Sequence, residues 1–533
     1  MNYPNSSILP FIALSLLLLS SWLPCRATSH SSSLVDNFLR CLSNRSAPLL
    51  ESVYTRTNPS FESVLQARIR NRRFLTYQTP KPVAIVAPKH VSHVQATVVC
   101  AKDNGLQIRI RSGGHDFEGL SYTSNITFLV LDMFNLQSIK VDVNNEVAYV
   151  QAGVTLGELY YKIAYESGVH AFPAGICTTL GVGGHFTGGG YGNMMRKYGL
   201  SVDNVLDVEV VDITGNILNR TTMGEDLFWA IRGGGGESFA VIVAWKIKLV
   251  RVPEKVTVFN VPFTLEQGAT DVAFKWQQVA PKLDENLFIR LQSSVVNGSI
   301  LINFIGFFLE ESDKLIPLMN QTFPELNLTK TDCIETSWIE SVLYWAGFPT
   351  GTSVVALLNT THGTQYYTKI KSDYVKTVIS KQDLDTVWKL LIDLANSTSA
   401  SVSMNWNPYG GKMSQIPESD TPFPHRSGNL FLIQYVVYWT EEGSNVTNHN
   451  IDRVRYMHYQ MSPFVSKMPR EAFLNYRDND IGSTASDRTN IGDALIYGPK
   501  YFKDNFQRLM MVKAKVDPDN FFKNEQSIPP MIK

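Results

Sequence analysis

Between Pro80 and about Val252 the chain alternates short β-branched runs with helical runs, and glycine clusters interrupt the alternation. The strand-like runs read AIVAP, QIRIR, FLVLD, VAYVQAG and, at 206–212, LDVEVVD, while one helical pattern covers Val91 to Lys102. Thr155 and Glu158 form a capping-box pattern that predicts the start of another helix. This stretch therefore predicts an α+β or α/β domain in which glycine lets the backbone approach a ligand closely.

The remaining length predicts a second domain, because 533 residues exceed the size at which a single hydrophobic core stops growing. Beyond Pro253 the strand-like runs NLFIRLQSSVV, SILINFIGFFL and NLFLIQYVVYW are separated by helical ones such as DTVWKLLIDLANS. We expect a sheet covered by helices there. From about Ile481 the helical pattern NFQRLMMVKAKV predicts a segment that returns to pack on the first domain.

Charge excludes one class of partner. Lys and Arg together number 48, and so do Asp and Glu, so nothing indicates an extended surface for nucleic acid or a polybasic membrane contact. No paired Cys/His spacing indicates zinc.

The N-terminus indicates secretion. Ile8 to Leu23 is apolar and small residues follow around Ala27, which predicts a cleaved signal peptide over residues 1–28, with an uncleaved signal anchor as the alternative. No later segment resembles a membrane span. Beyond the signal peptide, nine glycosylation triplets predict a secreted glycoprotein of the apoplast, cell wall, vacuole or vesicle; they lie at Asn44, Asn125, Asn219, Asn297, Asn320, Asn327, Asn359, Asn396 and Asn445.

Signal removal takes Cys25 and leaves four cysteines. Cys41 and Cys100 each lie in a helical pattern near the N-terminus, so of the possible pairings we favour a disulfide between these two. The sequence leaves open whether Cys333 is free, and the simplest interpretation of Cys177 is an unpaired structural cysteine.

The glycine clusters match no common nucleotide motif. The chain lacks GxxxxGK[ST], HExxH and GxSxG, and residues 181–192 do not fit GxGxxG. RSGGH, which ends at His115, follows a predicted strand, and its free N–H groups suit a pyrophosphate; the alternative is a tight loop with an incidental histidine. The glycines around Cys177 would let a loop lie flat against a planar ligand.

Taken together, seven ordered segments resemble the plant berberine-bridge-enzyme-like family, flavoproteins of the vanillyl-alcohol-oxidase type. They are RSGGHDFEG at 111–119, PAGICTTLGVGGHFTGGGYG at 173–192, RGGGGESF at 232–239, NPYGG at 407–411, FPHR at 423–426, NYRDND at 475–480, and the terminal VDPDNFF with QSIPP.

The resemblance implies an α+β, two-domain vanillyl-alcohol-oxidase/PCMH-type FAD-binding fold. Its expected parts are an FAD-binding domain over 29–252 with a core at about 78–252, a substrate domain of antiparallel sheet covered by helices over 253–480, and a segment over 481–533 that returns to the FAD domain.

The resemblance also implies FAD held by two covalent links. His115 would join the 8α-methyl carbon of the isoalloxazine through nitrogen, and Cys177 would join C6 through sulfur, because both side chains are nucleophiles and those carbons are electrophilic. His185 would lie near flavin N1 as a donor or a positive charge. The remaining residues expected to line the cofactor are Ser112, Gly113, Gly114, Leu180, Gly183, Gly184 and Asn475.

On the substrate side, the resemblance makes Tyr476 the candidate base or proton relay and places Tyr191 and Gln434 in the active site. A free tyrosine has a pKa of about 10, so such a base needs a positive neighbour or desolvation by the flavin. Two positions depart from the family pattern: Leu432 replaces a lysine and Phe117 replaces a tyrosine found in many alcohol-oxidising members. Leu180 matches a position where bulk is linked to slow reaction with O2.

These residues favour an FAD-dependent oxidoreductase that takes hydride from a plant phenolic or other aromatic metabolite, with or without cyclisation, and passes electrons to O2 or another acceptor. The alternatives are a non-redox cyclase of the Diels–Alder type, a carbohydrate oxidase and a secreted glycoprotein with vestigial catalysis. We expect a monomer. Seven aromatic residues of the second domain could favour a planar substrate, although core packing is the simpler role for most of them: Trp338, Tyr344, Trp345, Phe348, Tyr366, Tyr367 and Trp406.

Overall fold

The computed structural model describes residues 26–361, 363, 365–396, 399–485 and 490–531. Residues 1–25 of the predicted signal peptide, with Cys25, lie outside the described residues. None of the helices within these ranges is both long and apolar enough to cross a membrane.

The first part of the chain forms two main sheets. Its strands are β1 (Val53–Thr55), β2 (Ala84–Val86), β3 (Gln107–Arg111), β4 (Phe128–Asp132), β5 (Ile139–Asp142), β6 (Val147–Gln151), β7 (His170–Ala171), β8 (Val205–Val211), β9 (Ile217–Leu218), β10 (Val241–Lys248) and β11 (Val250–Arg251). One sheet has the order β1-β2-β4-β3, with β2, β4 and β3 parallel, and the other has the antiparallel order β5-β6-β10-β8-β9. Strands β7 and β11 form a separate antiparallel pair.

Seven helices surround these sheets: α1 (Arg26–Arg45), α2 (Phe61–Gln66), α3 (Val91–Asp103), α4 (Leu156–Glu166), α5 (Val182–Thr187), α6 (Met195–Tyr198) and α7 (Arg220–Ile231). The predicted capping box begins α4, since the Thr155 N–H donates to Glu158 (2.8 Å) and the Glu158 N–H donates to the Thr155 hydroxyl (3.4 Å). A disulfide joins Cys41 on α1 to Cys100 on α3. Of the other cysteines that the structure describes, Cys177 and Cys333 are unpaired.

The second part is a seven-stranded antiparallel sheet in the order β15-β12-β14-β13-β17-β18-β16. Its strands are β12 (Val256–Thr264), β13 (Leu287–Val296), β14 (Ser299–Phe308), β15 (Cys333–Thr336), β16 (Tyr367–Val375), β17 (Ser401–Pro408) and β18 (Phe431–Trp439). Six helices accompany it: α8 (Ala269–Val279), α9 (Ser312–Thr322), α10 (Trp338–Trp345), α11 (Lys381–Asn396), α12 (Lys412–Gln415) and α13 (Ser444–Gln460). Trp276, Trp388 and Trp406 are fully buried between helices and sheet, so the expected antiparallel sheet with its helical cover is present.

The C-terminal segment contains α14 (Ile491–Phe502) and α15 (Asn505–Val516) and packs on the first part of the chain. The Lys513 ammonium on α15 donates to the carbonyl of Ser238, and Arg508 forms an ion pair with Asp226 on α7 (3.0 Å). Farther on, Glu525 pairs with Arg109 on β3 (2.8 Å). These contacts place the final residues beside the four-stranded sheet.

Candidate active site

A cavity of about 1000 Å³ lies between the first part of the chain and the exposed face of the seven-stranded sheet. It contains every residue that the sequence places at the cofactor or the substrate: Ser112, Gly113, Gly114, His115, Cys177, Leu180, Gly183, Gly184, His185, Tyr191, Gln434, Asn475 and Tyr476. These residues come from four separate stretches of the chain.

At Gly113 and Gly114, in the loop after β3, the backbone lies too close to neighbouring backbone for any residue but glycine. A Cβ on Gly113 would lie 2.3 Å from the backbone nitrogen of Gly181, and one on Gly114, whose φ is +70°, would lie 1.7 Å from the carbonyl oxygen of Arg68. Within the described ranges, the N–H groups of Gly113 and Gly114 donate to no other group of the chain. Such free, adjacent backbone donors suit an anion such as a pyrophosphate.

One hydroxyl lies between the two candidate attachment residues. Thr179 Oγ1 is 3.0 Å from His115 Nε2 and 3.6 Å from Cys177 Sγ. Burial, and secondly the charge of Arg70, lower the pKa of His115 to about 3, so its imidazole is neutral at physiological pH. A neutral imidazole has a free lone pair, which is the form that acts as a nucleophile.

His185 is neutral as well. The N–H of Gly175 donates to His185 Nε2 (3.0 Å), and burial lowers the pKa of this imidazole to about 4. Because Nε2 accepts a hydrogen bond, the ring proton is on Nδ1. In this form His185 carries a ring proton and no positive charge, which supports the donor role of the two that the sequence leaves open.

Asn475 fastens the C-terminal part of the site to α5. Its Nδ2 donates to the carbonyl of His185 (2.9 Å), and a Cβ on Gly188 would lie only 2.0 Å from its Oδ1. Asn475 thus holds the Tyr476 segment against the helix that bears His185.

The residues present fit FAD. Part of the cavity lining is aliphatic, with Ile108, Ile110, Ala240 and Ile242, which suits an apolar ring such as adenine. A Cβ on Gly184 would meet nothing within 4 Å, which leaves open space beside α5. The free backbone N–H groups suit the pyrophosphate of FAD. His115 and Cys177 are nucleophiles that suit its electrophilic ring, and His185 is a neutral donor.

Tyr191 and Tyr476 form a pair of hydroxyl groups in the lining of the cavity. Their phenolic oxygens are hydrogen-bonded to each other, and their rings meet edge to face at 6.0 Å. Burial raises the pKa of both phenols, most strongly that of Tyr476, while the charge of Arg290 acts in the opposite direction on both.

Arg290 is the functional candidate that the sequence analysis missed. It is buried on β13, its Nε donates to Asn407 Oδ1 (2.8 Å), and its guanidinium lies 5.3 Å from the ring centre of Trp345. Among the described residues no carboxylate lies within ion-pair distance of it, so its charge is directed to the cavity and the tyrosine pair. The one available signal was an arginine inside the otherwise apolar run NLFIRL.

Gln434 belongs to a row of amides on the floor of the cavity. Gln292 donates to Asn405 Oδ1 (2.9 Å), and Asn405 donates to Gln434 Oε1 (3.0 Å). Each amide is thereby oriented, and the NH₂ group of Gln434 is left for a ligand.

The cavity lining is partly aromatic. Tyr344, Trp345, Tyr366 and Tyr438 contribute to it. Trp338, Tyr367 and Trp406, by contrast, are buried in the hydrophobic cores. Phe348 packs at the edge of the larger core.

Two family models match the chain: the FAD binding domain over residues 82–221, and the berberine and berberine-like model over residues 472–529. Berberine bridge enzyme-like 14 of Arabidopsis thaliana is 53% identical over 502 residues, which cover 93% of this chain and 94% of the relative. The chain belongs to the berberine bridge enzyme-like family.

Solved structures of this family agree in fold. Berberine bridge enzyme from Eschscholzia californica is 37% identical with a TM-score of 0.88, and the match covers 93% of this chain and 99% of that one. Phl p 4, a grass pollen allergen with glucose dehydrogenase activity, is 42% identical with a TM-score of 0.88, over 93% of this chain and 100% of the allergen. The two-domain FAD-binding fold and its membership of a family of FAD-binding oxidoreductases are therefore established.

Against this family pattern, the structure changes the meaning of Leu432. From the sequence, Leu432 is interpreted as the loss of a polar group beside the base, but this side chain is fully buried and does not line the cavity. Leu432 pairs across the sheet with Asn407, which accepts a hydrogen bond from Arg290. Arg290 on β13 supplies a cation near the tyrosine pair.

Phe117, the other departure, and Leu180 both line the cavity. The ring of Phe117 is 6.1 Å from that of Tyr476, edge to face, so a hydrocarbon edge replaces a second hydroxyl there. Leu180 lines the cavity close to Gly175, where it adds bulk beside His185.

Proposed function

We propose that this chain is an oxidoreductase that holds FAD through two covalent links, at His115 and Cys177, and oxidises a hydroxyl-bearing carbon of a small aromatic substrate. The observation that carries the proposal is that the Tyr191–Tyr476 pair and Arg290 share one cavity with His115 and Cys177. FAD, when bound, supplies an acceptor for two electrons as hydride.

The task of the chain is to take the hydroxyl proton. We assign this role to Tyr476, whose oxygen is hydrogen-bonded to that of Tyr191. Burial and the contact with Tyr191 both act to raise the pKa of Tyr476. Arg290 stabilises the charge, since a nearby cation favours the ionised form of a phenol. Burial opposes ionisation, so we expect the rate of oxidation to rise with pH into the alkaline range.

Thr179 supports the attachment. Its hydroxyl contacts both His115 and Cys177, so a single side chain orients the nitrogen and the sulfur that would hold the cofactor. The His115 nitrogen and the Cys177 sulfur would each react slowly if they did not point at the carbon that they attack.

The proposed substrate class follows from the aromatic and the amide side chains that line the cavity. Tyr344, Trp345 and Tyr366 favour an aromatic substrate, because planar rings stack on such side chains. A carbohydrate is the second candidate, since the Gln292–Asn405–Gln434 row offers oriented amides to several hydroxyl groups and a relative of this fold has glucose dehydrogenase activity.

Anaerobic mixing tests the proposal. We expect cinnamyl alcohol to bleach the yellow colour of the bound flavin, because the two electrons have no other destination. Bleaching by D-glucose alone would favour the carbohydrate alternative. An unchanged flavin spectrum with each alcohol, while a prenylated phenol is cyclised, would contradict oxidation and support the non-redox cyclase.

We further infer that the protein works in the secretory pathway. All nine asparagines of the glycosylation triplets are exposed, and the Cys41–Cys100 disulfide suits an oxidising compartment. Protein purified from a plant host should lose mass on treatment with an endoglycosidase, whereas an unchanged mass would contradict glycosylation.

A further inference from the structure

Beneath the cavity is a cluster of buried charges that the proposed chemistry does not use. Lys369 forms ion pairs with Glu118 and with Asp478 (2.7 Å), and Lys371 forms ion pairs with Asp478 and with Asp480 (3.1 Å). The side chains of Lys369, Lys371, Glu118 and Asp478 are each at most 6% exposed. We call these five residues the buried ion cluster.

The cluster joins the two loops that carry the site. Glu118 lies three residues after His115, and Asp478 lies two residues after Tyr476. Lys369 is on β16 and contacts both carboxylates, so one ammonium group bridges the His115 loop and the Tyr476 loop. Its neighbour Thr368 lines the cavity.

A second contact joins the same loops directly. Asp116 and Arg477, the residues that follow His115 and Tyr476, are 3.6 Å apart. The backbone of the Tyr476 loop is also held by Gln526, whose Nε2 donates to the carbonyl of Asp478 (2.8 Å). Both loops are therefore fixed relative to β16 and to each other.

Stability alone does not account for such a cluster. Desolvation of buried ion pairs is costly, and replacement by apolar residues of similar volume is often neutral or stabilising. Burial acts to raise the pKa of Asp478, but the charges of Lys369 and Lys371 outweigh it and hold this pKa below its ordinary value. The charges therefore specify one arrangement of the two loops.

We propose that Lys369 is a positioning residue, which, by bridging Glu118 and Asp478, sets His115 and the Tyr191–Tyr476 pair in one geometry for attachment and for proton removal. This inference rests on the proposed function, because it takes His115 as an attachment residue and Tyr476 as the proton acceptor.

The test compares Lys369→Met, which removes the charge at similar volume, with Lys369→Arg, which keeps it. Attachment is measured as flavin retained by denatured protein in a Cys177→Ala background, where His115 is the remaining link. Proton removal is measured as the rate of anaerobic flavin reduction by the substrate that bleaches the unmodified protein. Lys513→Met is the matched control, because Lys513 on α15 is equally buried and its ion pair with Asp517 (2.6 Å) includes no residue of either loop.

We expect Lys369→Met to lower retained flavin at least threefold and the reduction rate at least tenfold, and Lys369→Arg to restore most of both. Lys513→Met should lower the thermal midpoint and leave both readouts unchanged. If Lys369→Met behaves like Lys513→Met, with a lower midpoint and unaltered attachment and reduction, the positioning role is wrong.

Single-partner variants keep the test decisive if Lys369→Met does not fold. Glu118→Gln should lower the amount of flavin retained and Asp478→Asn should lower the reduction rate. The proposal is overturned if neither variant changes the quantity expected of it.

Failure of the proposed function is recognised separately. The Cys177→Ala protein, with the buried ion cluster intact, would then retain no flavin, or no alcohol would bleach the unmodified protein. Either result would contradict this inference as well.

Discussion

At the scale of single residues, the hydrogen bond between Tyr191 and Tyr476 makes each phenol depend on the other. Tyr476→Phe removes one oxygen of the pair, so we expect the rate of anaerobic flavin reduction to fall at least tenfold, which corresponds to about 1.4 kcal/mol. Tyr409→Phe is the control, because it deletes a buried hydroxyl that contacts Tyr374 (3.3 Å) outside the cavity. Equal rates for Tyr476→Phe and the unmodified protein would remove Tyr476 from the reaction.

The charge of Arg290 sets the pH at which the pair ionises. A base works when it is deprotonated, so the rate rises as pH increases through the pKa of the pair. Arg290 lowers this pKa, and Arg290→Met should therefore move the rising limb to higher pH, while Arg290→Lys should move it less. The measurement is the pH profile of flavin reduction, and a limb that stays in place in Arg290→Met would show that the cation acts elsewhere.

Arg290 also shows where sequence reasoning stops. His115, Cys177 and Tyr476 lie in short local motifs, and a motif is visible in the order of residues. The importance of Arg290 depends on its hydrogen bond to Asn407, which lies 117 positions away on a neighbouring strand. Sheet neighbours of that kind are set by tertiary packing, and no local periodicity reveals them.

At the scale of elements, the disulfide joins α1 to α3 across 59 residues of chain. A loop of that length gives an expected stabilisation of about 4 kcal/mol from lost entropy of the unfolded chain. The double variant Cys41→Ser, Cys100→Ser should therefore have a lower thermal midpoint, measured by calorimetry. Its flavin content should match that of the unmodified protein, because neither cysteine lines the cavity; a fall in flavin content with an unchanged midpoint would contradict this division of roles.

Individual elements could be predicted well where the local signal was complete. The periodicity from Val91 predicts α3, and the pair Thr155 and Glu158 predicts the first turn of α4, since cap and periodicity agree there. The order of the seven-stranded sheet could not be predicted. Strand β13 pairs with β17, which lies more than a hundred residues later in the chain. The alternation of apolar and polar residues along β13 does not indicate which strand pairs with it.

At the scale of the whole molecule, the cavity is completed by parts that are distant in sequence. The first sheets supply the glycine loop and His115, the seven-stranded sheet supplies Arg290 and Gln434, and the loop that precedes the returning segment supplies Tyr476. The length of the chain predicts two domains, and the terminal helical pattern predicts a segment that returns to the first domain. The meeting of these parts at one cavity required the family resemblance, because it depends on their packing.

A ligand that fills such a cavity should contribute to the stability of the entire molecule. In the double variant His115→Ala, Cys177→Ala we expect flavin to be released on denaturation, whereas each single variant retains it through the other link. Without a covalent link, added FAD should raise the thermal midpoint of the double variant. At an FAD concentration of a hundred times Kd, binding adds about 2.7 kcal/mol to the free energy of unfolding. The midpoint of the unmodified protein should not respond, because its cofactor cannot dissociate. Flavin that stays bound to the denatured double variant would show that attachment is through other residues. A midpoint of the double variant that does not change with added FAD would show that FAD does not bind in the cavity.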